Sequence, residues 1–559
     1  MFRLLLIIGG LIFVNHGNAA TASANIETIK ALINHKIEKE QQAVGATVVL
    51  IEDGKTEYLN FGLTNQQDNT ATTSSALFEI GSISKTFTSI ALASMVIEGK
   101  VKLNDPVQKY LPSKVKIPTR NGKVITLESL ANHTSALPRL PSNMPYNDPL
   151  DPYADYTVEL MYEFLNNYQL TRDIGEKLEY SNLAVGLLGH ALSLIDGKSY
   201  QQMIIDRVLI PLSMSNTFVD VPASHASQQS DGHDASLNKT KHWKLPALAG
   251  AGALNSNAKD MALYLGANLN PSKALRQTSL IEAISLSHQK TIDAKKHGAS
   301  VGLGWFIAEH KNGSYLWHNG GTGGFRSFMG FDQENQRGII ILENSANGMD
   351  NIGNAFLTGN LAKLKSDILE VHSLDENQLS KFVGHYELAP GMIMTVTQKR
   401  QQLFIQLTGQ ANYPVYAKSD LEFVYRVVEA KVKFELNEKG ESVSLTLFQG
   451  GAETKAKRLS EKEAAAKMKR VELTNEQLDN LVGQFEIMPN FIITTSHQDG
   501  QLVIQATGQP KIPFETKSRS EFFNGQVQAR IVFELDKSGK AISLTLFQAG
   551  QELKGANMQ

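Results

Sequence analysis

Apolar and polar residues alternate in two widely separated parts of the chain. The first part is a pair of runs at 47–51 and 58–61, joined by Asp53-Gly54, a dipeptide typical of a tight β-hairpin turn. The second part comprises three strand-like segments, at 315–318, 325–331 and 338–342. Polar and helical segments lie between the two parts. This pattern predicts one sheet whose first and last strands are neighbours, with a helical insertion.

The last third of the chain contains one pattern twice, without a gap between the aligned copies. Matched residues lie 99 positions apart, as in Gly384 with Gly483, Pro414 with Pro513, 408–410 with 507–509, 434–436 with 533–535 and 445–449 with 544–548. Each copy opens with the spacing of a helix capping box, at Asp375 with Gln378 and at Thr474 with Gln477.

The polarity within each copy alternates as in an antiparallel β domain. In the first copy we expect Val443, Leu445 and Leu447 to face one side of the sheet and Ser444 the other. The segment 461–467 between the copies is typical of a helical, semi-rigid spacer. Neither copy contains a cluster of titratable residues that indicates chemistry.

The N-terminus has the pattern of a signal peptide. Arg3 precedes an apolar stretch at 4–14, and Ala19-Ala20 supply a small-residue cleavage site. The apolar stretch is short for a membrane span, although an uncleaved anchor is the alternative. No later segment is long and apolar enough to cross a bilayer. We expect the mature protein to be periplasmic or secreted, with no stable membrane span after signal removal.

These patterns divide the chain into five predicted segments. They are a signal peptide at 1–20, an α+β domain at 21–370, a first β repeat at 371–460, a helical linker at 461–470 and a second β repeat at 471–559. The length of 559 residues favours several domains. The formal net charge of −2 gives no indication of binding to nucleic acid or to an anionic membrane.

Any nucleophile in this chain must be an oxygen or an amine, because the sequence contains no cysteine. The absence of cysteine also excludes disulfides and thiolate metal sites. His225, His233 and His242 are too widely spaced for a helical metal-binding pair, and no His-Glu-x-x-His or Gly-x-Ser-x-Gly motif occurs. We therefore expect no metal or cofactor.

The segment around Ser82 carries the most informative candidate chemistry. A helix is predicted from Ser82 to about Glu98, stopped by Gly99, and its i, i+3 spacing brings the Lys85 amine close to the Ser82 hydroxyl. A serine needs a neighbouring base to act as a nucleophile, and a partly desolvated lysine can serve. Three further Ser-x-x-Lys matches occur, at Ser236/Lys239, Ser256/Lys259 and Ser287/Lys290. Context favours Ser82, which follows an apolar lead-in and Gly81.

Two later motifs offer partners for this pair. Tyr180-Ser181-Asn182 precedes an apolar helix; a tyrosine can carry protons in both directions, and an asparagine can orient a carbonyl or a lysine. The segment 318–325, which includes His318 and Gly320, lies at a strand end, where glycines allow a substrate close to the backbone. A hydrogen-bonding or cationic His318 would face a substrate carboxylate. Tyr58-Leu59-Asn60 and Lys311-Asn312-Gly313 are competing matches in predicted hairpins.

Taken in order, Ser-x-x-Lys, Tyr-x-Asn and His-x-Gly resemble the motifs of the class C β-lactamase and D-alanyl peptidase family of serine hydrolases. The similarity covers roughly residues 40–345 and includes the stretches 103–112 and 250–256. It implies an α+β fold in which an antiparallel sheet carries helices on both faces and an all-helical insertion. The two C-terminal repeats would then be small antiparallel β-barrel-like domains of a kind often appended to such hydrolases.

The resemblance also implies roles for the candidate residues. Ser82 would be the acylated nucleophile, with Lys85 and Tyr180 as proton carriers and Asn182 and His318 orienting the substrate. Gly320 would line the substrate strand. The backbone N–H groups of Ser82 and Gly321 would form the oxyanion hole.

Two departures from the family pattern bear on the substrate. Class C β-lactamases that destroy cephalosporins usually have Lys-Thr-Gly where this chain has His318-Asn319-Gly320, and a histidine there is more typical of the family's peptidases and esterases. Ala136 stands where the family commonly has glycine. These differences put efficient β-lactam hydrolysis in doubt.

Two hypotheses follow from the motifs and the resemblance. The first is an enzyme that cleaves a β-lactam amide, or a related D-amino-acid peptide or ester, through an acyl-enzyme. The alternative is a penicillin-binding cell-wall sensor with little turnover. A small molecule or a peptidoglycan peptide is the expected partner. For the β domains we favour a scaffold that shields the cleft or joins protomers in a homo-oligomer over ligand binding.

Overall fold

The computed structural model describes residues 16–293, 295, 298–311, 313–369, 372, 374–389, 392–408, 410, 412–425, 430–450, 452–468, 473–488, 491–498, 500–507, 511–524, 527, 529–548 and 551–558. Most of the predicted signal peptide, residues 1–15, lies outside the described residues. No helix within the described part of the chain has the length and apolar character needed to cross a bilayer. Two compact units make up the chain; the first contains the α+β sheet and the second contains both repeats.

The first unit is built on an eight-stranded sheet with the order β3-β2-β1-β12-β11-β10-β9-β8. The bounds of its strands are β1 Gly45–Glu52, β2 Lys55–Asn65, β3 Thr70–Ala71, β8 Ser300–Val301, β9 Phe306–His310, β10 Gly313–Gly321, β11 Arg326–Asp332 and β12 Arg337–Glu343. Two short pairs lie outside the sheet, β4 Phe78–Glu79 with β7 Asn255–Ser256 and β5 Gly232–His233 with β6 Lys239–Thr240.

The predicted hairpin and the predicted closure of the sheet are both confirmed. Strands β1 and β2 pair antiparallel up to Glu52 opposite Lys55, so Asp53-Gly54 form the turn. Strand β1 also pairs with β12, from Ala46 opposite Glu343 to Ile51 opposite Gly338. Both strands are almost entirely buried because helices cover the two faces of the sheet, as the sequence resemblance implied.

The helices of the first unit separate into two covering layers and an insertion. Their bounds are His16–Asn34, Ser84–Ile97, Leu127–Ala131, Val158–Asn167, Asn182–Asp196, Tyr200–Ile204, Ala249–Gly252, Ala258–Leu269, Pro271–Ala274, Thr278–His288, Asp350–Thr358 and Leu361–Leu369. Helices His16–Asn34, Asp350–Thr358 and Leu361–Leu369 pack on one face of the sheet. The core that they share with the sheet includes Leu32, Phe328 and Phe356. Helix Ala258–Leu269 packs on β1 and β12, and it stacks Tyr264 on Phe87 of the helix Ser84–Ile97 at 3.8 Å between ring centroids.

Each C-terminal repeat forms a closed antiparallel barrel, as expected from the repeated strand pattern. The first comprises β13 Gly384–Ala389, β14 Met392–Lys399, β15 Gln402–Leu407, β16 Asn412–Ala417, β17 Glu422–Tyr425, β18 Ala430–Leu436, β19 Ser442–Gln449 and β20 Ala452–Leu459. The second comprises β21 Gly483–Met488, β22 Phe491–Gln498, β23 Gln501–Ala506, β24 Ile512–Thr516, β25 Glu521–Asn524, β26 Ala529–Leu535, β27 Ala541–Gln548 and β28 Gln551–Asn557. The side chains of each barrel enclose an apolar core.

The predicted helix starts of the two repeats are confirmed. Helices Glu376–Ser380 and Asn475–Asp479 each begin with a reciprocal capping box, formed by Asp375 with Gln378 and by Thr474 with Gln477. The segment between the barrels is helical over Glu461–Met468, as predicted. This helix packs against the first barrel through the buried Ala464, and Lys467 pairs with Glu387 at 2.8 Å. These two contacts attach the helix to that barrel.

The predicted alternation along β19 is wrong at one position. Val443 is 42% exposed, whereas Leu445 is fully buried in the barrel core. The cause is a β-bulge at Glu435 and Leu436, which places one extra residue of β19 opposite β18 and turns Val443 outward. The second barrel has the same bulge, and there Ile542 is exposed while Leu544 is buried. Period-2 patterning cannot anticipate a bulge, because the inserted residue changes the phase of the strand.

The bulge makes neighbouring residues differ strongly in their contribution to stability. We expect Leu445→Ala to lower the free energy of unfolding by about 2–5 kcal/mol, because it opens a cavity in the barrel. Val443→Ala should cost less than about 1 kcal/mol, because that side chain is largely in water. Urea denaturation of the full chain, followed by circular dichroism, measures both. Leu544→Ala and Ile542→Ala form the matched pair in the second barrel, and equal losses within either pair would contradict the bulged register.

Candidate active site

Ser82 lies in a tight turn between a short strand and a long helix. Strand β4 runs into a 3₁₀ turn, Gly81–Ile83, and the α-helix starts at Ser84. The turn is fixed from both sides, since Ser84 Oγ donates to Gly81 O at 2.7 Å and accepts from Leu254 N–H at 3.1 Å. The helix was predicted to start at Ser82 itself. Instead, Ser82 and Ile83 belong to the 3₁₀ turn, so the Ser82 hydroxyl lies beside the N-terminus of the α-helix that starts at Ser84.

Lys85 contacts Ser82 from within the protein core. Its Nζ atom lies 2.9 Å from Ser82 Oγ and 2.6 Å from the carbonyl oxygen of Ala251. The side chain is fully buried. Burial holds the pKa of Lys85 well below its usual range, and the nearby Arg139 guanidinium lowers it further. A neutral amine can donate to Ala251 O and still present a lone pair to the Ser82 hydroxyl.

Tyr180 packs against the same lysine. The Lys85 Nζ atom lies 4.8 Å from the centroid of the Tyr180 ring, and the Arg139 guanidinium lies 5.2 Å from it. Burial raises the pKa of Tyr180 to about 12, against the smaller lowering effects of a hydrogen bond with Ser82 and of Arg139. The phenol is therefore protonated near neutral pH, and of these two groups the lysine is the one able to accept a proton.

Asn182 is the first residue of the helix Asn182–Asp196. Ser181 caps this helix by accepting from Ala184 N–H at 2.9 Å. Burial raises the pKa of Tyr153, and Arg139 and a hydrogen bond with Asn182 partly offset that rise. Asn182 Oδ1 is buried and has no hydrogen-bond partner among the described residues. An acceptor of this kind suits a substrate N–H group.

His318 lies on β10, with its ring 6.1 Å from the Tyr180 ring and 5.6 Å from the Phe306 ring. Nδ1 donates to Asn319 O at 2.5 Å, so Nε2 is the acceptor nitrogen, and it has no hydrogen-bond partner within the described residues. Burial lowers the pKa of His318 to about 3, and the proximity of Lys85 lowers it too. Of the two forms considered in the sequence analysis, the neutral hydrogen-bonding histidine is the one present.

Close contacts with backbone require glycine at Gly320 and Gly81, whereas a Cβ on Gly321 would meet the flexible end of an arginine side chain. A Cβ atom on Gly320 would lie 2.0 Å from Ile80 O, and one on Gly321 would lie 1.9 Å from the Arg326 guanidinium. A Cβ on Gly81, whose φ is +50°, would lie 2.6 Å from Gly321 N. From the sequence, glycines at this strand end were expected to let a substrate approach the backbone. Close approach between the strand and the nucleophile turn gives a further reason.

The competing motifs do not bring their residues together. Ser256 Oγ bonds Thr217 at 2.8 Å while Lys259 is exposed, and Ser287 Oγ bonds Ile284 O while Lys290 faces acidic residues. Lys239 pairs with Asp231 at 2.8 Å. Tyr58 is 40% exposed on β2. Among the four Ser-x-x-Lys matches in the described residues, a hydrogen bond between the lysine and the serine is present only for Lys85 and Ser82.

Sequence reasoning missed two residues beside Tyr180, namely His133 and Arg139. The rings of His133 and Tyr180 lie 4.4 Å apart between centroids, and Arg139 faces the same phenol. Both residues flank the segment 134–138, in which Ala136 has φ +64°. That left-handed backbone explains why a glycine is the common residue there. The unusual residue type was a signal in the sequence, but it did not indicate contact with Tyr180.

A serine in contact with a fully buried lysine whose pKa is lowered, in a turn packed against the end of an antiparallel strand, defines a serine hydrolase of the penicillin-recognising class. Residues 26–362 match the family model described as Beta-lactamase, and residues 370–463 and 467–557 each match a domain of unknown function, DUF3471. The chain therefore belongs to the beta-lactamase family.

Individual relatives agree with this assignment. A D-alanyl-D-alanine-carboxypeptidase/endopeptidase, AmpH of Escherichia coli K12, is 30% identical over 311 residues, which cover 54% of this chain and 79% of AmpH. A beta-lactamase of Pseudomonas fluorescens is 29% identical over 50% of this chain and 74% of its own length. A beta-lactamase/D-alanine carboxypeptidase from Yersinia pestis, solved with citrate, shares 25% identity with a TM-score of 0.54, covering 62% of this chain and 99% of that protein.

Burial of a neutral His318 predicts a specific response to acid. An exposed histidine titrates near 6.5 and the folded His318 near 3, so the unfolded state takes up a proton first as pH falls. The contribution of His318 to the free energy of unfolding is therefore complete above pH 6.5 and is lost as the pH falls from 6.5 towards 3. Between pH 7 and pH 5 we expect His318 to account for about 2 kcal/mol of lost stability.

The His318→Asn variant retains a side-chain donor but has no group that titrates in this range. Between pH 7 and pH 5 its free energy of unfolding should therefore fall by about 2 kcal/mol less than that of the wild type. Urea denaturation at the two pH values measures the difference. His288 is the matched control, because burial also lowers its pKa to about 3, and His288→Gln should remove a similar pH dependence. The same pH dependence in His318→Asn as in the wild type would contradict a neutral buried histidine.

Proposed function

We propose that Ser82 is the acylated nucleophile of this hydrolase and that its substrate is a D-alanyl peptide or a β-lactam that mimics one. The observation that carries the proposal is the fully buried Lys85 amine, 2.9 Å from Ser82 Oγ. A desolvated lysine is a base suited to a serine nucleophile at neutral pH. The hydrogen bond with Ser82 and the contact of Lys85 with the Tyr180 ring support a role for Tyr180 in the same proton path.

The first step is attack on the substrate carbonyl carbon. The Ser82 proton moves to Lys85 Nζ as the bond from Oγ to carbon forms. The lysine becomes an ammonium ion in a buried site near the Arg139 guanidinium, where its charge is unfavourable. It therefore gives the proton up readily, through the Tyr180 phenol, to the nitrogen of the leaving group. A water molecule then cleaves the Ser82 ester in the reverse sense.

Negative charge on the carbonyl oxygen needs fixed donors. We propose the backbone N–H groups of Ser82 and Gly321 for this role. The proposal is supported by the contact between the nucleophile turn and the end of β10, where Gly81 leaves no room for a side chain beside Gly321 N. Ser327 Oγ also donates to Ile80 O at 2.8 Å, which ties the strand preceding the nucleophile to β11.

The substrate class follows from the relatives and from His318. One relative is described as a D-alanyl-D-alanine carboxypeptidase/endopeptidase and others as beta-lactamases. His318 stands where the cephalosporin-destroying enzymes have a lysine, and a histidine there is more typical of the family's peptidases, so we propose a D-alanyl peptide as the preferred substrate. Asn182 Oδ1 and His318 Nε2 would orient it, and Gly320 would lie beside it.

The cellular context of this activity is also a proposal. The N-terminal sequence supports export to the periplasm or beyond, where peptidoglycan peptides occur. The division at 20, 370, 460 and 470 is supported by family matches that end at 362 and cover 370–463 and 467–557. We propose a scaffold role for the two barrels.

Replacement of Ser82 tests the central proposal. Wild type and Ser82→Ala are each mixed with a D-Ala-D-Ala peptide, a chromogenic cephalosporin and a short-chain ester, and turnover and labelling by a fluorescent penicillin are recorded. We expect the substitution to lower turnover at least about 10³-fold and to abolish labelling, because the nucleophile is removed.

Ser236→Ala is the matched control, since Ser236 stands in an exposed Ser-x-x-Lys motif. It should retain wild-type activity. Stoichiometric labelling of the wild type without turnover of any substrate would favour the sensor. Full activity in Ser82→Ala would refute the assignment of the nucleophile.

A further inference from the structure

We propose that His133 is a positioning residue that fixes Tyr180 by holding the backbone on both sides of it. The inference rests on the proposed role of Tyr180 as a proton carrier. It assigns a function in the reaction to a residue outside the three motifs.

His133 bonds to both chain neighbours of Tyr180. Its backbone oxygen accepts from Glu179 N–H at 2.9 Å, and its Nδ1 accepts from Ser181 N–H at 3.2 Å. The two rings also pack together, with centroids 4.4 Å apart and planes inclined by 36°. One residue therefore controls the position of residue 180 through the main chain and through the ring.

The second of these bonds requires the neutral imidazole. Nδ1 can accept from Ser181 N–H only while it carries no proton, so the proton is on Nε2. The side chain is 1% exposed, and burial lowers the pKa of His133, with further lowering by Lys85, His318 and Arg139. The clamp on Ser181 N–H thus persists throughout the neutral range.

The segment that carries His133 is itself fixed to the segment that carries Tyr180. Thr134 O accepts from Gly175 N–H at 2.9 Å, Ser181 Oγ donates to Pro138 O at 2.6 Å, and Arg139 O accepts from Asn182 N–H at 3.0 Å. His133 adopts φ +64°, a conformation that non-glycine residues rarely take and that asparagine tolerates better than most. Strain of this kind persists only where surrounding contacts hold it.

Two substitutions separate clamping from simple packing. His133→Leu fills space but has no acceptor, whereas His133→Asn keeps an acceptor oxygen near the Nδ1 position and suits the left-handed backbone. The readout is acylation by a fluorescent penicillin over a range of concentrations, which separates the limiting rate constant from the half-saturating concentration.

We expect His133→Leu to lower the limiting rate constant at least tenfold with the half-saturating concentration changed less than twofold, because a small displacement of a proton carrier is costly. His133→Asn should stay within threefold of the wild type. Should His133→Leu fail to fold, His133→Gln replaces it, since its oxygen lies near the Nε2 position and cannot reach Ser181 N–H in the same way. Equal rates for Asn and for Leu or Gln would overturn the proposal.

A double-mutant cycle with Tyr180→Phe tests whether His133 acts through Tyr180. In the Tyr180→Phe background, His133→Leu (or Gln) should cost less than threefold, because the group that it positions is already absent. The control is His288→Gln, a buried histidine that bonds Asn268 at 2.9 Å, and its effect should be the same in both backgrounds.

Multiplicative effects of the His133 and Tyr180 substitutions would overturn the inference while leaving Ser82 as the nucleophile. Failure of the proposed function has a different signature. It appears as full labelling of Ser82→Ala, or as an unchanged rate in Tyr180→Phe, before His133 is altered at all.

Discussion

The burial of the Lys85 amine is the constraint on which the first unit depends. An ammonium ion is poorly solvated in a protein interior, so burial lowers the pKa of Lys85 well below its usual range. The same burial that makes Lys85 a base also removes it from water, so its remaining hydrogen bonds must come from the protein. Ala251 O and Ser82 Oγ supply them at 2.6 and 2.9 Å. The short helix Ala249–Gly252 is therefore part of the site although it carries no reactive side chain.

Burial of the lysine also explains the crowding around the nucleophile turn. Ser82 is partly exposed while the next turn of its helix is fully buried, so backbone is packed directly on backbone. Gly81 meets Gly321 and Gly320 meets Ile80, and a Cβ atom at Gly81 or Gly320 would collide with backbone. Rigid packing of this kind holds the proposed oxyanion donors in place before a substrate arrives, which is the condition for strong electrostatic stabilisation. Tyr180 contacts the sheet through its ring, which lies 6.1 Å from the His318 ring and 6.4 Å from the Phe306 ring, while its chain neighbours donate hydrogen bonds to the segment 133–139.

Local patterns predicted much of the fold and the centre of the site. The hairpin at Asp53-Gly54, the capping boxes and the Ser82–Lys85 spacing depend on residues within a few positions of one another, so a sequence reveals them. The partners that complete the site are distant in the chain. Ala251 lies 166 residues from Lys85, and His133 lies 48 residues from Ser181. One sequence contains no signal that pairs such positions, and the β-bulge at Val443 escaped prediction because it interrupts the very period used to find the strand.

The two barrels show how a buried polar group depends on its partner. In the first barrel the Tyr386 hydroxyl donates to Phe382 O at 2.8 Å and bonds Ser442 Oγ at 3.0 Å inside the core. The residues 99 positions later are Phe485 and Ala541, both buried and both apolar. Removal of either hydroxyl alone would leave the other without that bond, at a cost of about 1–3 kcal/mol, whereas loss of both leaves an apolar core intact. The aromatic residues Phe423 and Phe434 recur as Phe522 and Phe533 with the same edge-to-face contact. At the positions of Tyr386 and Ser442 the two repeats therefore differ as a pair, and each version leaves no buried hydroxyl without its partner.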